Sequence, residues 1–432
     1  MSRKTKDSGI EWIRKVPEDW EVIKLKHIGK FTASGIDKKI IEGQPLVKII
    51  NYTDVYGNEK MIIDDTFVFM EVSSDEERRT KNLVTFGDLI FTPSSETKEE
   101  IGQSALVNVN LLNTAFSYHV LRFQFYREVY HPYKKYLTNN AWIHSYFASI
   151  AQGTTRQILS RGQLGDAKVL LPTYSEQRKI ANLLEEKLIS IDQILADTKQ
   201  SIEELKTYRQ AVITEAVTKG LDKDAPMKDS GIEWIGEIPE DWSAIKFGKI
   251  AFVDGKLVNP LDYPDYQQVS SDSIEKNAGR IHIHRTVSES EVNSNNYLFK
   301  KGQILYSKIR PKLNKVALAP FDGLCSADMY PLTTHANPIF VVYLIMSDYF
   351  LQQVILATEN RVKMPKINQE ELKKLFVALP PAQIQIEVVK YLDKFKNEYE
   401  RLIQEKVSII SDMEEYKKSL IYEYVTGKKE VV

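Results

Sequence analysis

The chain contains an internal repeat, and this repeat limits the possible folds more than any other feature of the sequence. Residues 6–28 and residues 228–250 are identical at 15 of 23 positions, at an offset of 222. A second match aligns Leu171-Pro172 with Leu379-Pro380 at an offset of 208 and continues without a gap. The fall in offset from 222 to 208 places a net length difference of 14 residues between the two matches. We therefore predict two halves, each made of an opening motif, a variable body and a closing segment.

Both closing segments are predicted to be long helices. The first has no Pro or Gly between Gln177 and Lys219, and its apolar residues recur in steps of four and three, which is the spacing of a coiled-coil seam. The predicted seam residues are Leu184, Leu188, Ile191, Leu195, Ile202, Leu205 and Val212 in the first helix and Leu392, Phe395, Tyr399, Leu402, Ile409, Met413, Tyr416, Leu420 and Tyr424 in the second. Two such helices in one chain bury their stripes most simply against each other, as an intramolecular antiparallel coiled coil. Helices that only dimerise the protein are the alternative.

The two bodies are predicted to be of the α+β class with mostly antiparallel strands. Short apolar runs follow glycines, as in residues 87–91 and 302–306, and this is typical of strands that leave turns. The predicted domains are a first body at 1–171, which includes the opening motif, a central helical region at 172–221, a second body at 222–378 and a distal helical region at 379–432. The duplication gives this arrangement a pseudo-twofold internal repeat.

Composition excludes several classes of protein. The chain has 58 basic and 59 acidic side chains, and the net charge of −1 argues against a polybasic chain that binds nucleic acid without specificity. The single cysteine, Cys325, excludes a disulfide framework and a thiolate metal cluster, and it indicates a reducing, cytoplasmic compartment. The longest apolar stretch, residues 339–346, is far shorter than the roughly 20 residues that span a bilayer, so we expect no membrane segment.

Motifs for catalysis and cofactor binding are absent or weak in the sequence. There is no Gly-x-Gly turn and no Gly-x-x-x-x-Gly-Lys loop for phosphates. Residues 337–340 resemble the Asn-Pro-Pro-Phe loop of amino-methyltransferases but lack its second proline, and His282 and His284 alternate as in an ordinary half-exposed strand. Asp-x-Lys patterns of the nuclease type, at 37–39 and 254–256, are expected by chance in so charged a chain. We therefore expect no catalytic residue, no metal and no cofactor bound by this chain.

The two copies of the opening motif carry four tryptophans, Trp12, Trp20, Trp234 and Trp242. Large apolar side chains beside the rigid corners Pro17 and Pro239 favour anchoring of each body on the helices. Stacking of the indole rings on nucleic-acid bases is the alternative, and it requires exposed rings.

Local clusters of basic and polar residues are the best candidates for a binding surface. Such side chains contact DNA phosphates through Lys, Arg and hydroxyls, and base edges through Arg, Asn and Gln. The candidates are Thr154, Thr155, Arg156 and Gln157 in the first body and Lys308, Arg310, Lys312, Lys315, Arg361, Lys363 and Lys366 in the second. A solvated loop without a binding role is the alternative interpretation of each cluster.

Together these features resemble the specificity subunits of type I restriction-modification systems, over essentially the whole chain. The features that carry the resemblance are the duplicated Gly-Ile-Glu-Trp-Ile and Pro-Glu-Asp-Trp motifs, the loop at 153–156, and the long helix after Leu171-Pro172. The second copy departs from the pattern at 358–361, where Thr-Glu-Asn-Arg replaces Gly-Thr-Thr, and at 382–386, where Ile384 replaces the usual Glu.

The resemblance implies a chain without catalysis of its own. Each body would be a target-recognition domain that reads one half of a bipartite, asymmetric site in double-stranded DNA. The helices would set the spacer between the halves and dock two methyltransferase subunits, which use S-adenosylmethionine to methylate adenine N6. Restriction subunits would add translocase and nuclease activity that depends on ATP and Mg. A protein-interaction scaffold that does not bind DNA is the alternative function, and a fused component of a type IIG-like enzyme would need methyltransferase loops that this sequence lacks.

Overall fold

A computed structural model describes residues 3–11, 13–233, 235–361 and 365–431. The chain forms two compact units, Met1–Asp197 with Ser408–Val432, and Thr198–Val407. Each unit contains one opening motif, one body and part of each long helix. The units therefore divide both helices, and the four-segment division of the chain stays a prediction.

The first unit has short strands and helices followed by the start of a long helix. Its strands are β1 (Thr5–Asp7), β2 (Lys15–Pro17), β3 (Glu21–Lys24), β4 (Gly29–Ala33), β5 (Leu46–Ile50), β6 (Ile62–Ile63), β7 (Met70–Ser73), β8 (Leu89–Phe91), β9 (Ser94–Ser95), β10 (Ser104–Val107), β11 (Thr114–Phe116), β12 (Leu121–Phe125), β13 (Gln157–Ile158) and β14 (Lys168–Leu171). Its helices are α1 (Tyr52–Val55), α2 (Glu76–Lys81), α3 (Lys134–Thr138), α4 (Ala141–Ile150), α5 (Arg161–Asp166) and the first part of α6 (Tyr174–Lys219).

Two sheets form the body of the first unit. One has the order β4-β12-β8-β10-β6 and the other the order β11-β5-β7, and pairing is antiparallel except between β10 and β6 and between β11 and β5. Strand β3 pairs with β14, which joins the beginning and the end of the body beside α6. One core cluster contains Trp20, Phe91 and Phe147 of the body together with Leu184 and Leu188 of α6, so the helix completes the core.

The second unit repeats this plan with different lengths. Its strands are β15 (Met227–Asp229), β16 (Glu237–Pro239), β17 (Ser243–Lys246), β18 (Ala251–Val253), β19 (Lys256–Val258), β20 (Gln267–Val269), β21 (Arg285–Thr286), β22 (Asn296–Phe299), β23 (Ile304–Ser307), β24 (Val316–Leu318), β25 (Gly323–Cys325), β26 (Met329–Thr334) and β27 (Phe376–Leu379). Its helices are α7 (Pro338–Met346), α8 (Asp348–Thr358), α9 (Gln369–Lys374) and most of α10 (Ala382–Val425), together with the end of α6.

The sheets of the second body have the orders β18-β26-β23-β24 and β19-β22-β25-β20-β21, and only β20 and β25 pair in parallel. Strand β17 pairs with β27, as β3 pairs with β14 in the first unit. Within the described parts of the chain, no single helix has the length and hydropathy to cross a membrane; α7 and α8 reach both only when taken together, across a bend of 63°.

Helices α6 and α10 pack together in antiparallel directions, which confirms the predicted architecture. In the first unit, Leu184, Leu188, Ile191 and Leu195 share one core with Leu420, and Lys417 Nζ donates to Asp192 Oδ1 at 2.7 Å. In the second unit, Val212 shares a core with Leu392, while the rings of Tyr208 and Phe395 meet edge to face at 5.8 Å. Among the other predicted seam residues, Tyr424 is buried, and six are half-buried: Ile202, Leu205, Phe395, Tyr399, Leu402 and Met413.

The seam of α10 differs from the prediction at two positions. Ile409 and Tyr416 are 43% and 45% exposed, whereas Ile410 and Lys417 are half-buried. The half-buried positions after Leu402 are Lys406, Ile410, Met413 and Lys417, in steps of four, four, three and four. The predicted positions after Lys406 were Ile409, Met413 and Tyr416, in steps of three, four and three. A helix with 3.6 residues per turn drifts by about 20° per heptad relative to a 3.5-residue repeat, and two successive steps of four correct this drift.

Trp20 and Trp242 are buried in their units, where they lie against the ends of the long helices. Trp20 Nε1 donates to Glu176 Oε2 of α6 at 3.0 Å, and a Cβ on Gly427, just after α10, would lie 3.3 Å from the Trp20 ring. In the second unit a Cβ on Gly220, just after α6, would lie 3.1 Å from the Trp242 ring. Trp12 and Trp234 lie outside the described residues.

One glutamine ties each body to the first turn of its long helix. Gln177 Nε2 donates to the Pro172 carbonyl at 2.9 Å, and its Oε1 accepts from the backbone N–H of Tyr130 at 2.8 Å. Gln385 makes the same two bonds, at the same distances, with Pro380 and Asn337. Both glutamines are buried. The repeat therefore extends from the sequence to the hydrogen bonds that set the direction of each helix.

Candidate nucleic-acid interface

Each body holds its candidate loop against the end of a strand in the same way. In the first unit β13 pairs with β9, and the N–H of Leu159 donates to the Pro93 carbonyl at 2.8 Å. In the second unit Ile309 forms a bridge with Lys366, and the N–H of Ile367 donates to the Lys308 carbonyl at 3.0 Å. We call these regions the first bridged loop (residues 94–95 and 153–158) and the second bridged loop (residues 308–315, 361 and 365–367).

The helices that follow the bridged loops begin in the same way in both units. The side chain of Ser160 accepts from the N–H of Gln163 at the start of α5, and the side chain of Asn368 accepts from the N–H of Glu371 at the start of α9. A side-chain cap of this kind fixes the residue at which the loop ends and the helix begins. The sequence did not show that residues 308–315 would lie beside residues 365–367.

Arg156 is the exposed cation of the first bridged loop. Its Nε donates to Ser94 Oγ at 3.1 Å, and its guanidinium lies 5.3 Å from the centre of the Tyr52 ring. Ser94 and Tyr52 are both neutral, so these two contacts orient the guanidinium without forming an ion pair. Thr154 and Thr155 are exposed beside it.

Gly153 and Gln157 shape the first bridged loop. Gly153 has a φ of +134°, and a Cβ there would lie 1.9 Å from the Arg156 carbonyl oxygen, so only glycine fits. Gln157 is buried, and its Nε2 donates to the Gly153 carbonyl at 2.9 Å. Its amide therefore supports the loop, although the sequence placed it among the candidates for DNA contact.

The structure adds two basic residues, Lys38 and His119, that the sequence did not single out. Burial lowers the pKa of His119, and the nearby charges of Lys38 and Arg156 lower it further. The half-exposed Tyr118 ring lies 3.8 Å from the His119 ring. Lys38, His119 and Arg156 are far apart in the sequence, and no spacing connects them. Folding alone brings these aromatic and basic residues together near Arg156.

The second bridged loop carries several cations. Lys308 Nζ lies 5.1 Å from the centre of the Tyr330 ring, and burial lowers the pKa of Lys308, with a further contribution from nearby Lys366. Arg310, Lys312 and Lys366 are exposed, and Arg310 adopts a left-handed backbone with a φ of +45°. Lys363 lies outside the described residues.

Two of the candidate cations have acidic or carbonyl partners. Lys315 Nζ donates to the Ser271 carbonyl at 2.8 Å and lies 3.5 Å from Asp272 Oδ1, with only 12% of its side chain exposed. Arg361 forms a two-pronged ion pair with Glu371, one arm of which measures 2.9 Å, and this pairing raises the pKa of Arg361. Both cations thus hold the loop in place. The sequence could not reveal this for Lys315, because Asp272 lies 43 residues away.

Clusters suited to a metal ion are not found among the residues that the structure describes: no three His, Cys, Asp or Glu side chains converge there. Cys325 is buried, and burial raises its pKa. The chemistry that these surfaces offer is therefore hydrogen bonding and positive charge.

Comparison with known proteins assigns the family. The family model described as "Type I restriction modification DNA specificity domain" matches twice, at residues 17–204 and 239–408. The chain belongs to this family. The two matches cover most of the chain and coincide with the two halves of the internal repeat, as the resemblance in the sequence predicted.

Curated relatives and solved structures agree with this assignment. The chain is 34% identical over 258 residues to the EcoDI specificity subunit of Escherichia coli, an alignment that covers 56% of this chain and 58% of that subunit. It is 23% identical over 430 residues to the putative MjaX specificity subunit of Methanocaldococcus jannaschii, covering 96% and 95% of the two chains.

Two solved structures share the fold. A chain from a study of complex assembly and conformational transition of the type I R-M system has a TM-score of 0.70 at 13% identity, covering 96% of this chain and 99% of that one. The HsdS subunit from Thermoanaerobacter tengcongensis has a TM-score of 0.54 at 14% identity, covering 96% and 98%. The α+β bodies and paired helices are therefore the architecture of this specificity family.

Proposed function

We propose that this chain is the DNA-recognition subunit of a type I restriction-modification complex, in which each body reads one half of a bipartite, asymmetric target. The observation that carries the proposal is the duplicated family match, which gives each half of the chain its own specificity domain. The two bridged loops support it, because both present exposed cations, Arg156 in the first and Arg310, Lys312 and Lys366 in the second, and the first adds the exposed hydroxyls of Thr154 and Thr155. Phosphate contacts from these groups would fix each body on the duplex.

The long helices would set the spacer and receive the methyltransferase subunits. Large apolar side chains stay exposed on both helices within their own units, including Ile189 (70%) and Tyr416 (45%) in the first and Tyr208 (58%) and Tyr391 (44%) in the second. Exposed apolar residues along a helix are suited to a protein partner. Two such surfaces fit two copies of one methyltransferase.

Chemistry would belong to the partners rather than to this chain. The methyltransferase subunits would use S-adenosylmethionine, and restriction subunits, where present, would use ATP and Mg, in the cytoplasm. With a net charge of −1, this chain alone would bind DNA weakly, and its partners would supply much of the affinity.

Methylation mapping tests the proposal. Single-base mapping of adenine methylation is carried out in cells that express this chain with its neighbouring methyltransferase, and in cells without the chain. We expect one two-part motif that disappears when the chain is removed. Replacing residues 243–378 with another body should change one half of the motif only. An unchanged methylation pattern after deletion would refute the proposal.

A further inference from the structure

Each body has a β-turn at the end of its parallel strand pair, and the two turns are built alike. We call them the first β-turn (residues 117–120, between β11 and β12) and the second β-turn (residues 326–329, leading from β25 into β26). The serine that begins each turn accepts at its carbonyl from the N–H three residues later, at 3.3 Å and 2.9 Å. Its own N–H donates to the parallel strand at 2.9 Å, from Ser117 to Ile50 and from Ser326 to Val269. This register makes Ile50 the counterpart of Val269.

The two central residues of these turns carry unlike side chains. The first β-turn presents Tyr118, which is 48% exposed, and the half-buried His119, whose ring lies 3.8 Å from the tyrosine ring. The second β-turn presents Ala327 and Asp328, which are both exposed. The same backbone therefore carries two rings in one body, and a methyl group and a carboxylate in the other. Because exposed turn residues contribute little to the core, the fold leaves them free to differ.

Both β-turns border the bridged loops. The N–H of Lys308 in the second bridged loop donates to the Asp328 carbonyl at 3.1 Å, and the charge of Asp328 partly opposes the lowering of the Lys308 pKa by burial. In the first unit, burial lowers the pKa of His119 and the charges of Lys38 and Arg156 lower it further, while Asp37 opposes them. A duplex bound by the cations of either loop would therefore pass beside a β-turn.

The polar atoms of these side chains are open to a ligand from outside. The exposed Asp328 carboxylate forms no hydrogen bond or ion pair with the residues that the structure describes. Neither ring nitrogen of His119 has a hydrogen-bond partner among those residues, and neither is closed off from solvent. A carboxylate repels phosphates, so Asp328 adds nothing to the binding of a DNA backbone. Since an ionised carboxylate only accepts hydrogen bonds, its partner on DNA has to be a donor on a base.

We propose that the two β-turns determine which bases the two bodies read, and that Asp328 accepts a hydrogen bond from the N4 amino group of a cytosine in the second half-site. Cytosine presents this donor in the major groove without an acceptor on the same base, whereas adenine places its N7 acceptor beside its N6 amino group. Guanine and thymine present keto oxygens, which repel a carboxylate. Tyr118 and His119 contact a base in the first half-site from the equivalent place. The inference rests on the proposed function and adds to it the residues that read and the group that is read.

Asp328→Asn in the complete complex tests this assignment. Asparagine keeps the shape of the side chain but also donates, and its carboxamide matches the N6 donor and N7 acceptor of adenine. Initial rates of methylation are measured on duplexes in which each base of the second half-site is varied in turn. We expect a preference for cytosine at one position, about tenfold or more in the unmodified complex, to shift to adenine, with the first half unchanged.

Asp265→Asn is the matched control for this substitution. Asp265 is also exposed and lies in the same body, but it precedes β20, whereas the second β-turn is bonded to Val269 at the other end of that strand. The control variant should keep the motif and the methylation rates of the unmodified complex.

An exchange of the turn residues tests the first body. Tyr118→Ala together with His119→Asp gives the first β-turn the side chains of the second. Neither residue belongs to the buried core, so the thermal midpoint should not fall. We expect only the first half of the motif to change, with a new preference for cytosine at one of its positions.

Several results would overturn the inference: a second half without a C·G pair in the unmodified complex, an unchanged preference after Asp328→Asn, an equal loss of rate on all duplexes, or an unchanged first half after the exchange. If the unmodified complex has no two-part motif, the proposed function fails. If it has one that Asp328→Asn leaves intact, only this inference fails.

Discussion

The paired glutamines predict a specific loss of stability when either is replaced. Gln385→Leu removes the acceptor of the Asn337 N–H and the donor to the Pro380 carbonyl, both at a site where Gln385 is 5% exposed. Leaving a buried backbone group without a partner costs about 1–3 kcal/mol, and leucine recovers part of this cost through its apolar surface. We therefore expect the free energy of unfolding to fall by about 2–4 kcal/mol.

Urea denaturation followed by circular dichroism measures this change, with Gln383→Leu as the control. Gln383 lies two residues earlier on α10 and is exposed, and its Nε2 donates to Glu387 one turn along, so its replacement should change stability by less than about 0.5 kcal/mol. Gln177→Leu should reproduce the loss in the first unit. If Gln385→Leu is no more destabilising than Gln383→Leu, the glutamine does not tie the body to the helix.

Three further predictions concern the bridged loops. Gly153→Ala should destabilise the first loop by about 1–3 kcal/mol in thermal unfolding, because its Cβ would meet the Arg156 carbonyl at 1.9 Å. Arg156→Ala and Lys366→Ala should each weaken binding of the complex to DNA and reduce the slope of log K against log salt by about 1, whereas Arg361→Ala should leave that slope unchanged. The ion pair with Arg361 lowers the pKa of Glu371, so its stabilisation is present above the ordinary value of 4.5 and is lost as the pH falls through the lower folded value. Glu371→Gln should therefore flatten the loss of stability on acidification, by at most about 1 kcal/mol for this partly exposed pair, in denaturation curves between pH 5 and pH 3.

The sequence predicted the architecture because the architecture is repeated in it. Matched motifs, uninterrupted apolar periodicity and unequal bodies define the two halves and the paired helices without any knowledge of long-range contacts. The errors lie where periodicity is ambiguous. Ile409 and Tyr416 continue a seven-residue pattern, but the exposed fractions show that the helix turns Ile410 and Lys417 inward instead.

The candidate interface was less predictable because charge in a sequence does not reveal its partner. Lys315 and Arg361 stand in basic runs, yet in the folded chain Lys315 Nζ lies 3.5 Å from Asp272 Oδ1 and Arg361 forms an ion pair with Glu371. Conversely, Lys38 and Arg156 come close to His119 only in the folded chain, since their separation along the sequence carries no signal. The sequence identifies the charged segments, whereas the folded structure determines which of their side chains keep a free charge.

The two halves agree in their frame and differ where a recognition role would require it. Gln177 and Gln385 make the same hydrogen bonds, so each body is set on its helix in the same way. The anchors are already less equal, because Ile384 stands where Glu176 bonds Trp20. Inside the bodies the difference becomes chemical: a buried Ile49 in one corresponds to a buried Gln268 in the other. A repeated frame with unlike interiors gives each body the same seat on its helix and its own hydrogen-bonding pattern, and this is what the proposed reading of two unlike half-sites requires.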